Sequence, residues 1–318
     1  MADQITATSL PARRAPEREE ISIWTRLKFE IARTFLHAWA RLFSLKGLYL
    51  FGQFFGTCEW LINYKRRRRF YERLDQIYGK AYSTKDARFR RTACWRHFMR
   101  IRCDKLLYLI FDKLPREKIL KRIRFHDQHL LDEALAKGKG VYVCLSHFGS
   151  HHVLILLTAL LGYKAAGVRD RNEGALRRYM QQKYEETFPE FREMRMFFAD
   201  TYPRDIYRAF NEGYIVATAL DVGRDRGAHL KTAKVTMFGQ EREFLTGTMQ
   251  IALRCGAPIL QGFVVSRKNF YFRLISTGPL IEPERAADTP EILQEVMQKY
   301  ADNIANHVYH YPCHISKS

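Results

Sequence analysis

Apolar residues recur at helical spacing along the first part of the chain. Ile21, Trp24, Leu27, Ile31, Phe35, Trp39 and Leu42 form one stripe, and Arg26, Lys28, Arg33 and Arg41 occupy other faces. The segment "GLYLFGQFFGTCEWLINY" follows, closed by "KRRRR" at 65–69. Its uncharged stretch, residues 47–58, is shorter than the ~20 residues a bilayer span requires. An amphipathic helix with tryptophans, a short apolar plug and a polybasic cluster predict an interfacial anchor over residues 21–70, suited to anionic lipid. The competing reading is a core helix with a solvated basic face. Residues 85–113 continue in helical rhythm. Pro115 then opens a further helical stretch that runs to the breakers Gly138 and Gly140.

Beyond Gly140 the period changes. Short apolar runs at 141–145, 163–168 and 214–220 predict strands, alternating with helices near 151–161 and 173–187. A hairpin is predicted around Phe238-Gly239-Gln240, then a helix over 247–255, strands over 258–265 and 270–276, and a final helix over 290–308. This alternation predicts an α/β fold, a mixed and mainly parallel sheet flanked by helices, with N-terminal membrane-associating helices beside it. Residues 1–20 read as a flexible charged arm, 21–70 as the anchor and 71–318 as one α/β domain. No Pro/Gly/Ser linker divides the latter.

Charge sharpens the choice of partner. Lys and Arg total 53 against 34 Asp and Glu, a net charge of +19. Such a surplus favours nucleic acid, anionic membrane or acidic substrates. The cations concentrate in the first ~125 residues, beside the most apolar sequence. No nucleic-acid-binding motif accompanies them, so the expected partner is an anionic membrane surface and not nucleic acid. A hydrophobic fraction of 47% excludes a disordered chain. Six cysteines without a CxxC pair fit a reduced, cytoplasm-facing environment. The N-terminal stretch lacks the apolar core of a cleavable signal peptide.

The candidate chemistry lies in "GVYVCLSHFGSHHVLILL", residues 140–157. In an α/β sheet, reactive groups collect where strands end and helices begin, and His147 falls just past the strand "VYVCL". Gly149 suits a tight turn and Ser150 suits the N-cap of the next helix, which places His151 and His152 in its first turn. The helix dipole there disfavours positive charge, so these imidazoles stay neutral. Three readings compete. A metal site would use His147 and His151, but the Gly-Ser turn interrupts the helix and no HExxH is present. A turn role with backbone bonds suits His151 or His152. A base role suits His147. Elsewhere, Arg169 ends a strand and precedes Arg171, Arg177, Arg178 and Lys183, a density suited to phosphate or acidic protein surfaces. Asp221 ends the strand "YIVATAL". Thr246, Gly247 and Thr248 are either a helix cap or an oxyanion site. The tail residues His307, His310, Cys313 and His314 fit no zinc spacing.

The segments "LLDEALAKGKGVYVCLSHFGSHHVL", "AAGVRDRNEGALRRYMQQKY" and "TALDVGRDRGAHLKTAKVTMFGQEREFLTGTMQIALRCGAPILQGFVV" give the chain its resemblance to a known family. Over residues 21–315 it resembles the lauroyl/myristoyl acyltransferases of lipid A biosynthesis, within the wider lysophospholipid acyltransferase superfamily. The resemblance implies an acyltransferase in which a histidine of an H-x4-D/E motif deprotonates an acceptor hydroxyl for attack on an acyl thioester. It implies His147 as the base, Arg169 and Arg171 as an anion clamp, and Gly149, Thr246, Gly247 and Thr248 as substrate-contacting. It implies acyl carrier protein or coenzyme A as donor carrier and a lipid or glycolipid as acceptor. No metal or redox cofactor is expected. The location implied is the cytoplasmic face of a bacterial inner membrane, peripheral or monotopic. The chain departs from the motif where the acid belongs, because that position is His152, and the family's C-terminal Pro-x-x-Trp pattern here reads "YPCHI". Three outcomes are open: a His147–His152 dyad backed by Asp221, an acid from Glu173 or Asp170, or a silent paralogue that retains lipid or carrier binding.

Overall fold

A computed structural model describes residues 21–78, 86–150, 153–169, 174–198, 203–221 and 230–315. The first three helices are α1 (Ile23–Leu42), α2 (Ser44–Ile62) and α3 (Tyr64–Tyr78), followed by α4 (Ala87–Ile110) and the short α5 (Arg116–Leu120). The Ser22 hydroxyl caps α1 by accepting the Thr25 N–H, and the Asp86 carboxylate caps α4 by accepting that of Arg88. The apolar plug is part of α2, and the cations at 65–69 lie in the opening turns of α3. α2 lies along α4, and Gly52 and Gly56 permit the approach: a Cβ on Gly56 would sit 2.5 Å from the Met99 Cα. Among the described residues no helix is long and apolar enough to cross a membrane.

The sheet-bearing half begins with β1 (Ile123–His126), α6 (Gln128–Ala136), β2 (Val141–Leu145), α7 (Leu154–Leu160) and β3 (Ala165–Arg169). It continues through α8 (Ala175–Thr187), α9 (Pro189–Glu193), β4 (Arg195–Phe198), α10 (Pro203–Asn211) and β5 (Ile215–Ala219). The hairpin β6 (Thr232–Met237) and β7 (Gln240–Leu245) follows, then α11 (Gly247–Cys255), β8 (Ile259–Ser266), β9 (Phe272–Ser276) and α12 (Pro290–His310). Seven strands form one sheet in the order β1-β9-β8-β2-β5-β3-β4, parallel except at β8–β9. The mixed, mainly parallel sheet expected from the sequence is therefore present.

Both faces of the sheet are covered, which is why its central strands read as unbroken apolar runs. Tyr142, Cys144, Val216 and Phe263 face a cluster built with α10, α11 and α12. Val141, Val143, Leu145, Ala217 and Val264 face another built with α2, α7 and α8. The hairpin turns at Phe238 and Gly239, both with positive φ, as expected there.

Several elements differ from the sequence reading. The helix expected across 115–137 is divided, because Ile123 and Phe125 alternate with charged residues and pair in parallel with β9, far along the chain. β4 and α10 were not expected, since a four-residue edge strand carries too short a pattern. The helix expected over 151–161 is assigned to Leu154–Leu160, and Ser150 is not its cap. Arg33, placed on a polar face of α1, is instead buried at 1% exposure and bonds Asp112 at 2.5 Å. A lone buried guanidinium would be costly, and this carboxylate compensates it. The arm expected over residues 1–20 lies outside the described residues.

Candidate active site

The sheet order sets β2 directly beside β5, in parallel register from Val141↔Ile215 to Leu145↔Ala219. Their C-terminal ends therefore deliver His147 and Asp221 to one place. The Asp221 carboxylate, only 3% exposed, accepts the His147 backbone N–H at 3.0 and 2.9 Å and meets the ring Nδ1 at 2.9 Å. The carboxylate is a pure acceptor, so the proton of the neutral ring sits on Nδ1 and Nε2 is the basic nitrogen. The imidazole remains 24% exposed. The arrangement is that of a general base held in one tautomer by a buried acid.

A buried tyrosine ties the two strand ends together. From α12, the Tyr300 hydroxyl donates to the Leu145 carbonyl at 2.6 Å and accepts the Leu220 N–H at 3.2 Å, immediately below His147 and Asp221. Tyr300→Phe would leave both backbone groups buried without that partner. We expect a loss of about 2 kcal/mol, read as a lower denaturant midpoint at unchanged slope. Sequence reading missed this residue, because one tyrosine in an amphipathic helix looks like core.

Behind the histidine the chain turns through Gly149, whose φ of +78° and N–H bond to the His314 carbonyl at 2.7 Å fix the bend. That N–H is thereby occupied by the tail. The Ser150 hydroxyl is fully buried and donates to Asp104 on α4 at 2.6 Å, and Ser266 donates to the same carboxylate at 3.0 Å. Arg100 completes the network at 3.1 Å from Asp104. Ser150 thus anchors the catalytic loop to α4 instead of capping α7. His307 and His314 pack against Gly149, 3.3 Å apart through Nδ1 of His314 and Nε2 of His307, and His307 stacks on Phe263. Their role is structural.

Burial pushes His307 down to about 3, with Arg100 and His310 adding repulsion, and burial also holds His314 well below the usual histidine value. Both are neutral in the fold but protonate in the unfolded chain near 6.5. Stability from them is therefore fully present above about pH 6.5 and is lost as pH falls toward 3. At pH 5, roughly one and a half units below the unfolded value, His307 alone should cost about 2 kcal/mol relative to pH 7. Urea unfolding at the two pH values checks this, and His307→Gln should remove its share of the dependence and leave that of His314.

Arg73 on α3 also reaches the site. Burial holds its guanidinium below the usual arginine value, and the neighbouring Asp221 carboxylate opposes that shift. The sequence reading did not single it out, because nothing local to α3 indicates a partner at the end of β5.

Other expected site residues are placed as follows. Arg169 closes β3, a parallel strand of the same sheet, so its backbone lies at the edge that carries His147. His152 and Arg171 lie outside the described residues, as do His151, Asp170 and Glu173. Thr246 is buried and bonds the Lys231 carbonyl through both its N–H and its hydroxyl. Gly247 opens α11, with Thr248 following it in the first turn. The contacts described thus bring His147 and Asp221 together, and attach Thr246 to Lys231. Among the described residues no three His, Cys, Asp or Glu side chains converge on a position that could hold a metal ion.

A family model described as bacterial lipid A biosynthesis acyltransferase matches residues 36–312. A search of the curated proteins finds no match.

Proposed function

The chain belongs to the bacterial lipid A biosynthesis acyltransferase family, and from that premise we propose a specific reaction for it. The protein moves an acyl chain from an acyl carrier protein or coenzyme A thioester to a hydroxyl, or an amine, of a lipid or glycolipid acceptor. The observation that carries this reading is the Nδ1–Asp221 bond, which fixes the ring so that Nε2 is the basic nitrogen. The acceptor O–H gives its proton to Nε2 while its oxygen attacks the thioester carbon. As the tetrahedral intermediate collapses the C–S bond breaks, and the proton passes from Nε2 to the departing thiolate. The buried carboxylate steadies the imidazolium formed between these steps. No change of oxidation state occurs, so the reaction as proposed needs no redox cofactor, and none of its steps is assigned to a metal ion.

In this proposal Asp221, and not His152, supplies the negative charge. Arg169 and Arg171 bind acidic groups of the donor or acceptor, and the Gly247 and Thr248 N–H groups at the start of α11 remain candidates for substrate contact. The membrane reading rests on the exposed apolar stripe of α1 and α2: Trp24 is 73% exposed, Phe54 64% and Ile62 82%. Lys65 to Arg69 follow at once. Apolar side chains entering the interface with cations beside them suit a peripheral or monotopic seat on the cytoplasmic face of the inner membrane. An intact base–acid pair supports activity over a silent paralogue.

The test is reconstitution. Purified protein, acyl-carrier and coenzyme A thioesters of several lengths and a membrane lipid extract are incubated together, and acylated lipid is read by mass spectrometry. A new acyl-lipid that appears with thiol release is the expected result. Thiol release without an acylated acceptor would replace the transferase reading with thioester hydrolysis.

A further inference from the structure

A second feature lies on the other side of the catalytic loop. A cleft of about 1460 Å3 opens between α2, α4, the end of β1, the β8–β9 connection and the C-terminal turn. His147 and Asp221 do not line it. Gly149 and Ser150 stand between: Gly149 bonds His314 and Ser150 bonds Asp104, and both partners line the cleft.

The lining is strongly cationic. Arg88, Arg96, Arg124, Arg267, Lys268 and Arg273 join Arg100, against the carboxylates Asp86 and Asp104. Both acids are engaged, Asp86 as the cap of α4 and Asp104 by Arg100, Ser150 and Ser266. Arg88, Arg96, Arg124, Arg267 and Lys268 form no ion pair with any described residue. Arg273 carries a buried Nε with no hydrogen-bond partner, a donor whose desolvation nothing offsets. Clustered guanidinium groups of this kind favour phosphate, which they bind by paired N–H donors.

Aromatic and apolar surface is interleaved with the cations. Trp95 and Tyr271 are each 37% exposed, and Phe89 and Met99 line the same wall of the cleft as Trp95. A ligand that satisfies both kinds of surface has an anionic head on an apolar stem. The position agrees with that chemistry. α2 contributes Tyr49 and Gln53 to the cleft, while its neighbouring Leu50 and Phe54 are exposed at 54% and 64%. The helix that lines the cleft is thus one of the two proposed to meet the membrane.

We infer that this cleft is a binding site, separate from the reacting centre, for the phosphate headgroup of an anionic membrane phospholipid. The phosphate chemistry stands on the cleft alone, whereas the membrane as its source rests on the interfacial reading of α1 and α2.

Monomeric short-chain lipid separates the two. The full chain is titrated with dihexanoyl phosphatidic acid below its micellar concentration, with dihexanoyl phosphatidylcholine and with inorganic phosphate. Calorimetry and the fluorescence of Trp95 follow binding, with Trp95→Phe as the optical control. Saturable binding of the phosphatidic acid is expected, at least tenfold tighter than either other ligand. The triple variant Arg124→Ala, Arg267→Ala, Lys268→Ala should bind it at least tenfold more weakly. These three side chains are exposed, so circular dichroism should show an unchanged fold. Equal binding by variant and wild type, or no saturable binding, overturns the proposal. Inorganic phosphate binding as tightly as the lipid overturns the lipid assignment. Sedimentation with phosphatidylglycerol vesicles judges the membrane reading independently: wild type that stays in solution there sinks that reading, whatever the short-chain titration gives.

Discussion

His147→Ala is expected to reduce acyl transfer by 10³-fold or more with the fold intact. The substitution removes the base but leaves Asp221 accepting the backbone N–H of residue 147, so no buried carboxylate is stranded. Asp221→Asn should be nearly as severe by a different route. An amide presents one acceptor and one donor group where the native carboxylate presents two acceptors. With the backbone N–H taking the amide oxygen, the amide NH2 faces Nδ1 and forces the ring proton to Nε2, the atom that must be basic. The corresponding Asp-to-Asn change in the serine-protease triad, a documented case, lowers kcat about 10⁴-fold while geometry persists. Single-turnover transfer with saturating thioester measures both variants, and the double variant should be no slower than His147→Ala alone, because the two groups act as a unit. His152→Ala provides the contrast. Since Nδ1 of His147 is already bonded to Asp221, the loss at 152 should be at least tenfold smaller than at 221. A His152→Ala defect as deep as that of Asp221→Asn would return the acid role to the motif position and refute the assignment.

Gly149→Ala carries the second large effect. Residue 149 has φ of +78°, a region that costs an L-residue roughly 1–2 kcal/mol. An added Cβ would also sit 2.8 Å from the Val264 carbonyl oxygen, which already accepts the Ser150 N–H at 3.2 Å. That oxygen belongs to β8 inside the sheet, so it cannot yield as the tip of a flexible side chain would. We expect about 2–4 kcal/mol of destabilisation, together with a fall in transfer rate, because the displaced turn lies two residues after the base. Gly278→Ala is the control, since nothing lies within 4 Å of its Cβ position and its φ is not in the left-handed region. Denaturant midpoints and transfer rates of the two variants make the comparison. Equal stability of Gly149→Ala and wild type would show that the loop does not hold the conformation described.

Much of the scaffold was legible because burial on both faces writes itself into composition. "VYVCL" and "YIVATA" read as strands since each central strand is apolar throughout, and the Phe238-Gly239 turn read as a hairpin since positive φ favours glycine there. β1 was hidden because an edge strand needs only two inward residues, Ile123 and Phe125, and its charged neighbours mimic a helix surface. Ser150 was misread for a related reason. A serine before an apolar run fits an N-cap locally, and only Asp104, 46 positions earlier, reveals that its hydroxyl points into the core.

Sequence by itself determined the α/β alternation, the position of His147 at a strand end and the need for glycine at 149. These follow from short-range rules: side-chain periodicity, backbone sterics and the place where a strand hands over to a helix. The tertiary structure decided what accompanies the histidine. Asp221 lies 74 positions away, Tyr300 is 155 positions from the Leu145 carbonyl it bonds, and Arg73 precedes both strands. No local pattern encodes such pairs. They arise because parallel pairing of β2 with β5 aligns two strand ends, and because a buried carboxylate is stable only where N–H donors and cations already converge.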